Sequence, residues 1–354
     1  MRRVLVIAPN WIGDALMAQP LFALLKKLHP QIVIDAVAPS WVAPVLERMP
    51  EIGEVQEVDA TDLAHGKLQM LHRWKFASDL REVGYDAAYV LPNSLKSALI
   101  PWLAGIPLRI GYTGESRYAL LNVRHMNPPK THDSRPPMVP FYAALAYAPG
   151  TKRDEALQSL PMPRLEADLN DTVRVSTRFD LDMHKPLIVF CPGAEYGPAK
   201  RWPPEHFAAL ACIIGRSFPY MQMIALGSPK DASTAQTMAD QAPGVRNLCG
   251  QTSLSEACAL IARANAVVTN DSGLMHVAAA LNRPLVALYG STDPRHTPPL
   301  SNLAKVQFLL LECSPCFQRA CPLGHLNCLR ELNPEQVFDD LRGMLCSAST
   351  ESEV

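Results

Sequence analysis

The sequence predicts an α/β protein of two Rossmann-like domains with parallel sheets. Short runs rich in Val and Ile alternate with helical stretches, and this alternation starts twice, first at residues 3–8 and again at residues 186–191. A chain of 354 residues is also too long for one ordinary core and fits two domains. We therefore expect two successive domains with the same kind of sheet.

In the first domain the predicted strands are residues 3–8, 31–37, 55–58 and 86–91, with a helix over 16–28 in which Pro20 is tolerated near the first turn. In the second they are residues 186–191, 221–226, 265–269 and 285–289, with a helix over 205–218. The boundary falls between Pro161 and Lys185 and is taken as domains 1–170 and 171–354. A last helix over 334–345 is expected to pack back on the N-terminal domain.

The composition is that of a globular protein, with 48% hydrophobic and 19% charged residues. The formal net charge of −1 gives no general attraction to nucleic acid. No uncharged apolar stretch reaches the length of about 18 residues that a membrane helix needs, and residues 1–14 resemble a first strand more than an export signal. We therefore expect a cytoplasmic protein whose nine cysteines are thiols or metal ligands.

Ligands of open α/β sheets bind at the carboxyl ends of the strands, where this sequence places its glycine-containing polar segments. Residues 270–276 join a strand to a helix, and the free N–H groups there favour an anion such as a diphosphate. The alternative is ordinary helix capping by Asp271 or Ser272. The turn at Gly193 precedes Lys200, which either neutralises a diphosphate or belongs to a solvated basic pair with Arg201.

Two further strand ends allow similar alternatives. Ser228 and Asp231, after Gly227, either bind ribose hydroxyls or cap a helix. In the first domain Asp14, after Gly13, either acts as a general base or caps a helix.

Positive charge gathers between residues 67 and 135, where aromatic side chains and the apolar stretch 98–103 are interleaved with it. This pattern suits an acceptor that carries phosphates and carboxylates at a membrane surface, or it is a solvated face. The basic residues are Lys67, Arg73, Lys75, Arg81, Lys96, Arg109, Arg117, Arg124, Lys130 and Arg135.

Four cysteines, Cys313, Cys316, Cys321 and Cys328, lie close together near the C terminus. They are candidates for a metal site, although their spacing matches no standard zinc framework, and free thiols that stabilise a loop are the expected alternative. The sequence contains neither G-x-G-x-x-G nor a Walker A motif, which argues against a nicotinamide enzyme or a P-loop NTPase.

Taken together, four segments in order resemble the bacterial ADP-heptose–lipopolysaccharide heptosyltransferases, and the resemblance runs over nearly the whole chain. The cysteine-rich tail and Pro92-Asn93-Ser94 resemble most the heptosyltransferase II type, which adds the second heptose. The matching segments are Asn10-Trp11-Ile12-Gly13-Asp14, Arg109-Ile110-Gly111-Tyr112 continuing to Arg117, Lys200-Arg201-Trp202-Pro203, and Asp271-Ser272-Gly273-Leu274-Met275-His276.

The resemblance implies a GT-B fold, in which two facing Rossmann-like domains hold the site in their cleft, and an inverting transfer. It implies that Asp14 is the general base and that Lys200 lies at the donor diphosphate. The implied donor-binding residues are Gly193, Lys200, Gly227, Ser228, Asp231, Asp271, Ser272, Gly273, Leu274, Met275 and His276, and the implied acceptor-binding residues are Asn10, Trp11, Gly13, Lys96 and Arg117.

The implied reaction moves L-glycero-D-manno-heptose from ADP-heptose to Kdo-lipid A that carries one heptose. The enzyme would meet this acceptor by peripheral contact with the cytoplasmic face of the inner membrane. No cofactor is required, because the nucleotide sugar is a substrate, while stimulation by a divalent cation stays open. The alternatives are heptosyltransferase I or another core transferase, a GT-B-like nucleotide-sugar 2-epimerase, and a non-catalytic nucleotide-sugar-binding protein.

Overall fold

A computed structural model describes residues 1–58, 70–128, 135–151 and 159–350, with side chains of the last helix described up to Leu345. It divides into two compact units, Met1–Pro163 and Arg164–Val354. Each unit contains a six-stranded sheet, and the paired strands run parallel. The predicted α/β class with two Rossmann-like sheets is confirmed. Lys67 and Lys130 of the predicted basic region lie outside the described residues.

The first unit has strands β1 (Arg3–Ile7), β2 (Val33–Pro39), β3 (Ile52–Val58), β4 (Ala87–Val90), β5 (Leu108–Tyr112) and β6 (Val123–His125). Its helices are α1 (Ile12–Leu28), α2 (Ala43–Leu46), α3 (Met70–Val83), α4 (Leu95–Leu103) and α5 (Met138–Ala143). The strand order is β3-β2-β1-β4-β5-β6. Strand β1 is central and buried from Val4 to Ile7, as expected of an apolar strand covered on both faces.

The second unit has strands β7 (Leu187–Cys191), β8 (Gln222–Ala225), β9 (Val245–Asn247), β10 (Ala266–Asn270), β11 (Leu285–Tyr289) and β12 (Ala304–Phe308). Its helices are α6 (Leu169–Arg178), α7 (Pro204–Ser217), α8 (Ala232–Gln241), α9 (Leu254–Arg263), α10 (Gly273–Ala280), α11 (Asn327–Arg330) and α12 (Pro334–Thr350). The strand order is β12-β11-β10-β7-β8-β9. Strands β7, β10 and β11 are buried throughout and form the centre of the sheet.

The last helix, α12, packs in the core of the second unit, and its packing on the N-terminal domain stays a prediction. Val337, Phe338 and Leu341 of α12 belong to the core of the second unit, where they join Trp202 and Phe207. The helix packs on α7 and on β10 and β11. Its apolar face therefore packs within the second unit, to which the helix belongs.

The division between the units falls between Pro163 and Arg164, inside the expected range from Pro161 to Lys185 and a few residues before residue 170. Helix α6 packs on α9 of the second unit. Helix α6 begins directly after its N-cap residue Asp168, whose side chain accepts a hydrogen bond from the N–H of Asn170. A boundary at residue 170 would cut this helix.

Among the described residues, no helix combines the length and the hydropathy needed to span a bilayer.

Candidate active site

The carboxyl ends of four neighbouring strands of the second unit, β11, β10, β7 and β8, lie side by side. The segments that follow these strands are Pro192–Ala194, Gly227–Asp231, Asp271–Gly273 and Gly290–Asp293. This edge is where ligands of open parallel sheets bind.

A buried ion pair lies at the centre of this edge. The Nζ of Lys200 is 2.5 Å from Oδ2 of Asp271, and the two side chains are 11% and 3% exposed. The hydroxyl of Thr292 donates to the same carboxylate oxygen over 2.5 Å. Lys200 is thus held as a positive group at the strand ends, and the alternative that it belongs to a solvated basic pair is wrong.

A short turn over Pro198–Lys200 presents the lysine, and the β10 end holds this turn in place. The Oδ1 of Asn270 accepts the backbone N–H of Trp202 over 3.0 Å, while its amide donates to the carbonyl of Pro192 over 2.7 Å. Trp202 itself is fully buried. Asn270 therefore fixes the Lys200 loop relative to the β7 and β10 ends.

The N terminus of α10 lies beside the ion pair. Its N-cap residue Ser272 is extended and makes no side-chain capping hydrogen bond to the helix, so the first N–H groups of α10 are open to a ligand. His276, one turn into the helix, is buried, and this burial lowers its pKa to about 4. The imidazole is therefore neutral near pH 7 and leaves the charge of the site to Lys200 and Asp271.

Three predicted donor-binding residues have side chains that bond to other protein groups. The Oδ2 of Asp231 accepts both the backbone N–H of Ser228, over 3.0 Å, and its hydroxyl, over 2.7 Å. These two residues form a capping box, so the capping alternative describes their side chains. The side chain of Met275 is fully buried and its sulfur accepts the hydroxyl of Tyr289, which places it in the core.

Gly193 is required because Asp231 lies against it. A Cβ at residue 193 would be 2.3 Å from Oδ2 of Asp231, closer than any real contact. We expect Gly193→Ala to force Asp231 away from Ser228 and to lower the free energy of unfolding by about 1–3 kcal/mol, as overpacked sites do. Denaturant unfolding measures this loss.

The matched control is Gly215→Ala in α7, where the nearest atom to the added Cβ is 3.6 Å away. That variant should be neutral or more stable, because alanine favours a helix over glycine by about 1 kcal/mol. Equal stability of the two variants would contradict the crowding at Gly193.

In the first unit, the predicted residues after β1 lie at the carboxyl end of that strand. Asp14 is in the first turn of α1, whose N-cap residue is Trp11. Burial raises the pKa of Tyr142 on α5, and the negative charge of Asp14 raises it further, so the two side chains lie near each other. Asp14 is half-buried, and Trp11 is 47% exposed. Asn10, Trp11, Gly13 and Asp14 thus lie at the carboxyl end of β1, and their roles toward an acceptor stay predictions.

Lys96 lies in the first turn of α4, after β4, which is the neighbour of β1 in the sheet. Its side chain is half-buried. The apolar stretch 98–103 is mostly core instead of the predicted patch: Ala98 to Pro101 are buried, and Trp102 is exposed.

Arg117 is buried rather than presented to an acceptor. Its guanidinium donates to the carbonyl oxygens of Pro92 and Tyr112 and to the side chain of Asn93. Burial lowers its pKa to about 10, so it stays charged at neutral pH. The side chain joins the loops after β4 and β5.

Sequence reasoning missed three residues of these edges. Thr292 follows β11 in a turn that contains Gly290. Such a turn at the end of the strand next to β10 could have indicated a site residue. The ring of Tyr196 lies 5.0 Å from Nζ of Lys200. In the first unit, the indole N–H of Trp41, after β2, donates to the carbonyl of Asn10 over 2.9 Å.

The four candidate metal-ligating cysteines are free thiols. Within the described ranges, no three His, Cys, Asp or Glu side chains are arranged to hold a metal ion. Cys328 is buried in the second core, while Cys313, Cys316 and Cys321 are half-buried. Both alternatives for these cysteines, a metal site or free thiols that stabilise a loop, stay predictions.

Two successive Rossmann-type units are the architecture of GT-B glycosyltransferases, and in this chain the strand ends of the second unit hold a buried lysine beside a helix N terminus. A family model described as glycosyltransferase family 9 (heptosyltransferase) matches residues 73–327. The chain belongs to this family.

Named relatives agree with this membership. The chain is 44% identical over 352 residues to lipopolysaccharide heptosyltransferase 2 of Escherichia coli, covering 97% of this chain and 98% of that protein. It is 41% identical to lipooligosaccharide heptosyltransferase 2 of Haemophilus influenzae, covering 97% and 99%. The solved structure of E. coli ADP-heptose lps heptosyltransferase II aligns with a TM-score of 0.85 over 98% of this chain and 99% of that chain, at 41% identity.

Proposed function

We propose that this glycosyltransferase moves L-glycero-D-manno-heptose from ADP-heptose onto the first heptose of the lipopolysaccharide inner core, with inversion. The observation that carries the proposal is the buried Lys200–Asp271 pair beside the open N terminus of α10. It suits a sugar nucleotide diphosphate, and it occurs in a chain that matches relatives named heptosyltransferase 2 over 97% of its length.

The donor diphosphate binds at the strand ends of the second unit. The N–H groups at the start of α10 and the ammonium of Lys200 stabilise the charge that develops on departing ADP. Asp271 accepts from Lys200 and Thr292 through Oδ2, and it lies near the transferred heptose. The departing group is thus stabilised by protein groups, and no cofactor is part of the proposal.

Asp14 acts as the general base for the acceptor. Its carboxylate takes a proton from a hydroxyl of the acceptor heptose, and that oxygen attacks the anomeric carbon from the side opposite ADP. The C–O bond to the β-phosphate breaks, and its electron pair leaves with ADP. The transition state carries oxocarbenium-like positive charge, as in glycoside hydrolysis. Trp11 offers an exposed aromatic face beside the base.

We infer a cytoplasmic enzyme that meets its lipid-anchored acceptor at the inner membrane surface. Exposed apolar side chains on α3, among them Leu71 at 82% and Trp74 at 58%, support contact with such a surface. Lys75, exposed on the same helix, adds a positive charge for anionic lipid.

Acceptors that carry zero, one or two heptoses test the proposed reaction. We expect transfer from ADP-heptose only to the one-heptose acceptor, measured as incorporation of labelled heptose. Incorporation only into the acceptor without heptose would identify the heptosyltransferase I reaction. Conversion of the donor alone into a new nucleotide sugar would identify a 2-epimerase, and ADP binding without any turnover a non-catalytic binding protein.

A further inference from the structure

The loop over residues 313–328, which we call the cysteine loop, is fastened to the strand ends of the second unit. The backbone N–H of Phe317 donates to the carbonyl of Ser291 over 2.6 Å, and the hydroxyl of Tyr196 donates to the carbonyl of Phe317 over 2.7 Å. The hydroxyl of Ser314 donates to the carbonyl of Gly290 over 2.7 Å. The cysteine loop thus contacts both the Lys200 turn and the segment that carries Thr292.

Arg319 is a residue of this loop that contacts the Lys200 turn directly. Its carbonyl accepts the N–H of Ala199 over 3.0 Å. Gly197 has a φ of +157°, and a Cβ there would be 2.3 Å from the carbonyl oxygen of Arg319, so only glycine allows this approach. The guanidinium carbon lies 5.3 Å from the centroid of the Tyr196 ring, which also has Nζ of Lys200 5.0 Å from its centroid.

Among the described residues at this edge of the sheet, the positive charge of Arg319 is not paired with a carboxylate, whereas the other charges are paired. Each of the three carboxylates that follow β8, β10 and β11 has a basic partner. His276 is neutral, since burial lowers its pKa. In the part of the chain that the structure describes, no salt bridge includes the exposed Arg319. The three pairs are Asp231–Arg201, Asp271–Lys200 and Asp293–Arg295.

We propose that Arg319 is a further donor-binding residue, which contacts the β-phosphate of the nucleotide diphosphate. This inference rests on the proposed function and deepens it. The β-phosphate gains negative charge when the glycosidic bond breaks, while the charge of Lys200 is shared with Asp271. A guanidinium offers two parallel N–H donors to one phosphate, which a second lysine would not.

The test compares ADP with AMP, which lacks the β-phosphate, on the wild type and on Arg319→Gln by titration calorimetry at one fixed salt concentration. We expect the variant to lose about tenfold to hundredfold in ADP affinity, as for one charged hydrogen-bonded contact, and to bind AMP within about twofold of the wild type. Arg319→Lys should recover part of the loss. The unfolding midpoint should stay near that of the wild type, because the contact with Ala199 uses the backbone of Arg319.

Gln318→Ala is the matched control, since Gln318 is the exposed neighbour on the same loop. It should bind both nucleotides like the wild type. Equal losses for ADP and AMP in Arg319→Gln, or an unchanged ADP affinity, would overturn the inference. A wild type that binds no ADP would instead overturn the proposed function.

Discussion

Asp14→Asn should bind ADP like the wild type and lose most of its turnover. The amide keeps the size of the side chain but cannot take the proton of the acceptor hydroxyl. General base catalysis contributes about 10²–10⁴-fold, so we expect a fall in kcat of about that size. Binding of ADP should persist because Lys200, Asp271 and the α10 N terminus belong to the other unit.

Single-turnover transfer to the one-heptose acceptor measures the rate of heptose transfer, and ADP titration measures the affinity for the nucleotide. Asp79→Asn is the control, because Asp79 is an exposed acid on α3 of the same unit. It should change neither quantity by more than about twofold, as for an isolated surface charge. A kcat of Asp14→Asn close to that of the wild type would show that another group takes the proton.

The central strands of both sheets could be predicted from the sequence because they are continuous apolar runs. The expected strand 285–289 coincides with β11, and residues 186–191 contain β7. The strands β5, β6, β9 and β12 were not predicted. They lie at or near the sheet edges, and their partly exposed residues leave no such run.

The candidate site could be predicted where a single short segment contains the sequence pattern of a ligand site. Asp271-Ser272-Gly273 follows a strand and starts a helix, and the structure places it at the edge where ligands bind. Its partners depend on tertiary contacts between distant parts of the chain. The sequence alone does not indicate that Thr292 donates to Asp271, or that Arg319 lies against the Tyr196 ring.

Arg117 shows what charge in the sequence does not reveal. A basic residue within a positively charged region was predicted to bind the acceptor, yet its side chain is almost fully buried and donates to protein oxygens. Charge in the sequence does not reveal burial, because an arginine that donates to protein oxygens and an arginine in solvent are the same letter in the sequence.

Lys200→Met should reduce both activity and stability. Loss of one preorganised charge at the leaving group costs about 10²–10³ in kcat. The same change leaves Asp271 buried without its cation, and breaking a buried pair in this way costs about 3–5 kcal/mol. The hydroxyl of Thr292 still donates to Asp271, so we expect the lower end of this range. Denaturant unfolding and kcat with saturating acceptor measure the two effects.

The double variant Lys200→Met with Asp271→Asn separates these effects. It removes the unpaired buried charge, so much of the lost free energy of unfolding should return, while kcat stays at least about 100-fold below that of the wild type. Lys185→Met is the control, because Lys185 and Asp182 form an exposed pair 4.0 Å apart that should contribute little. If turnover returned together with stability in the double variant, Lys200 would serve the fold alone, and the charge that stabilises departing ADP would have to come from elsewhere on the same edge.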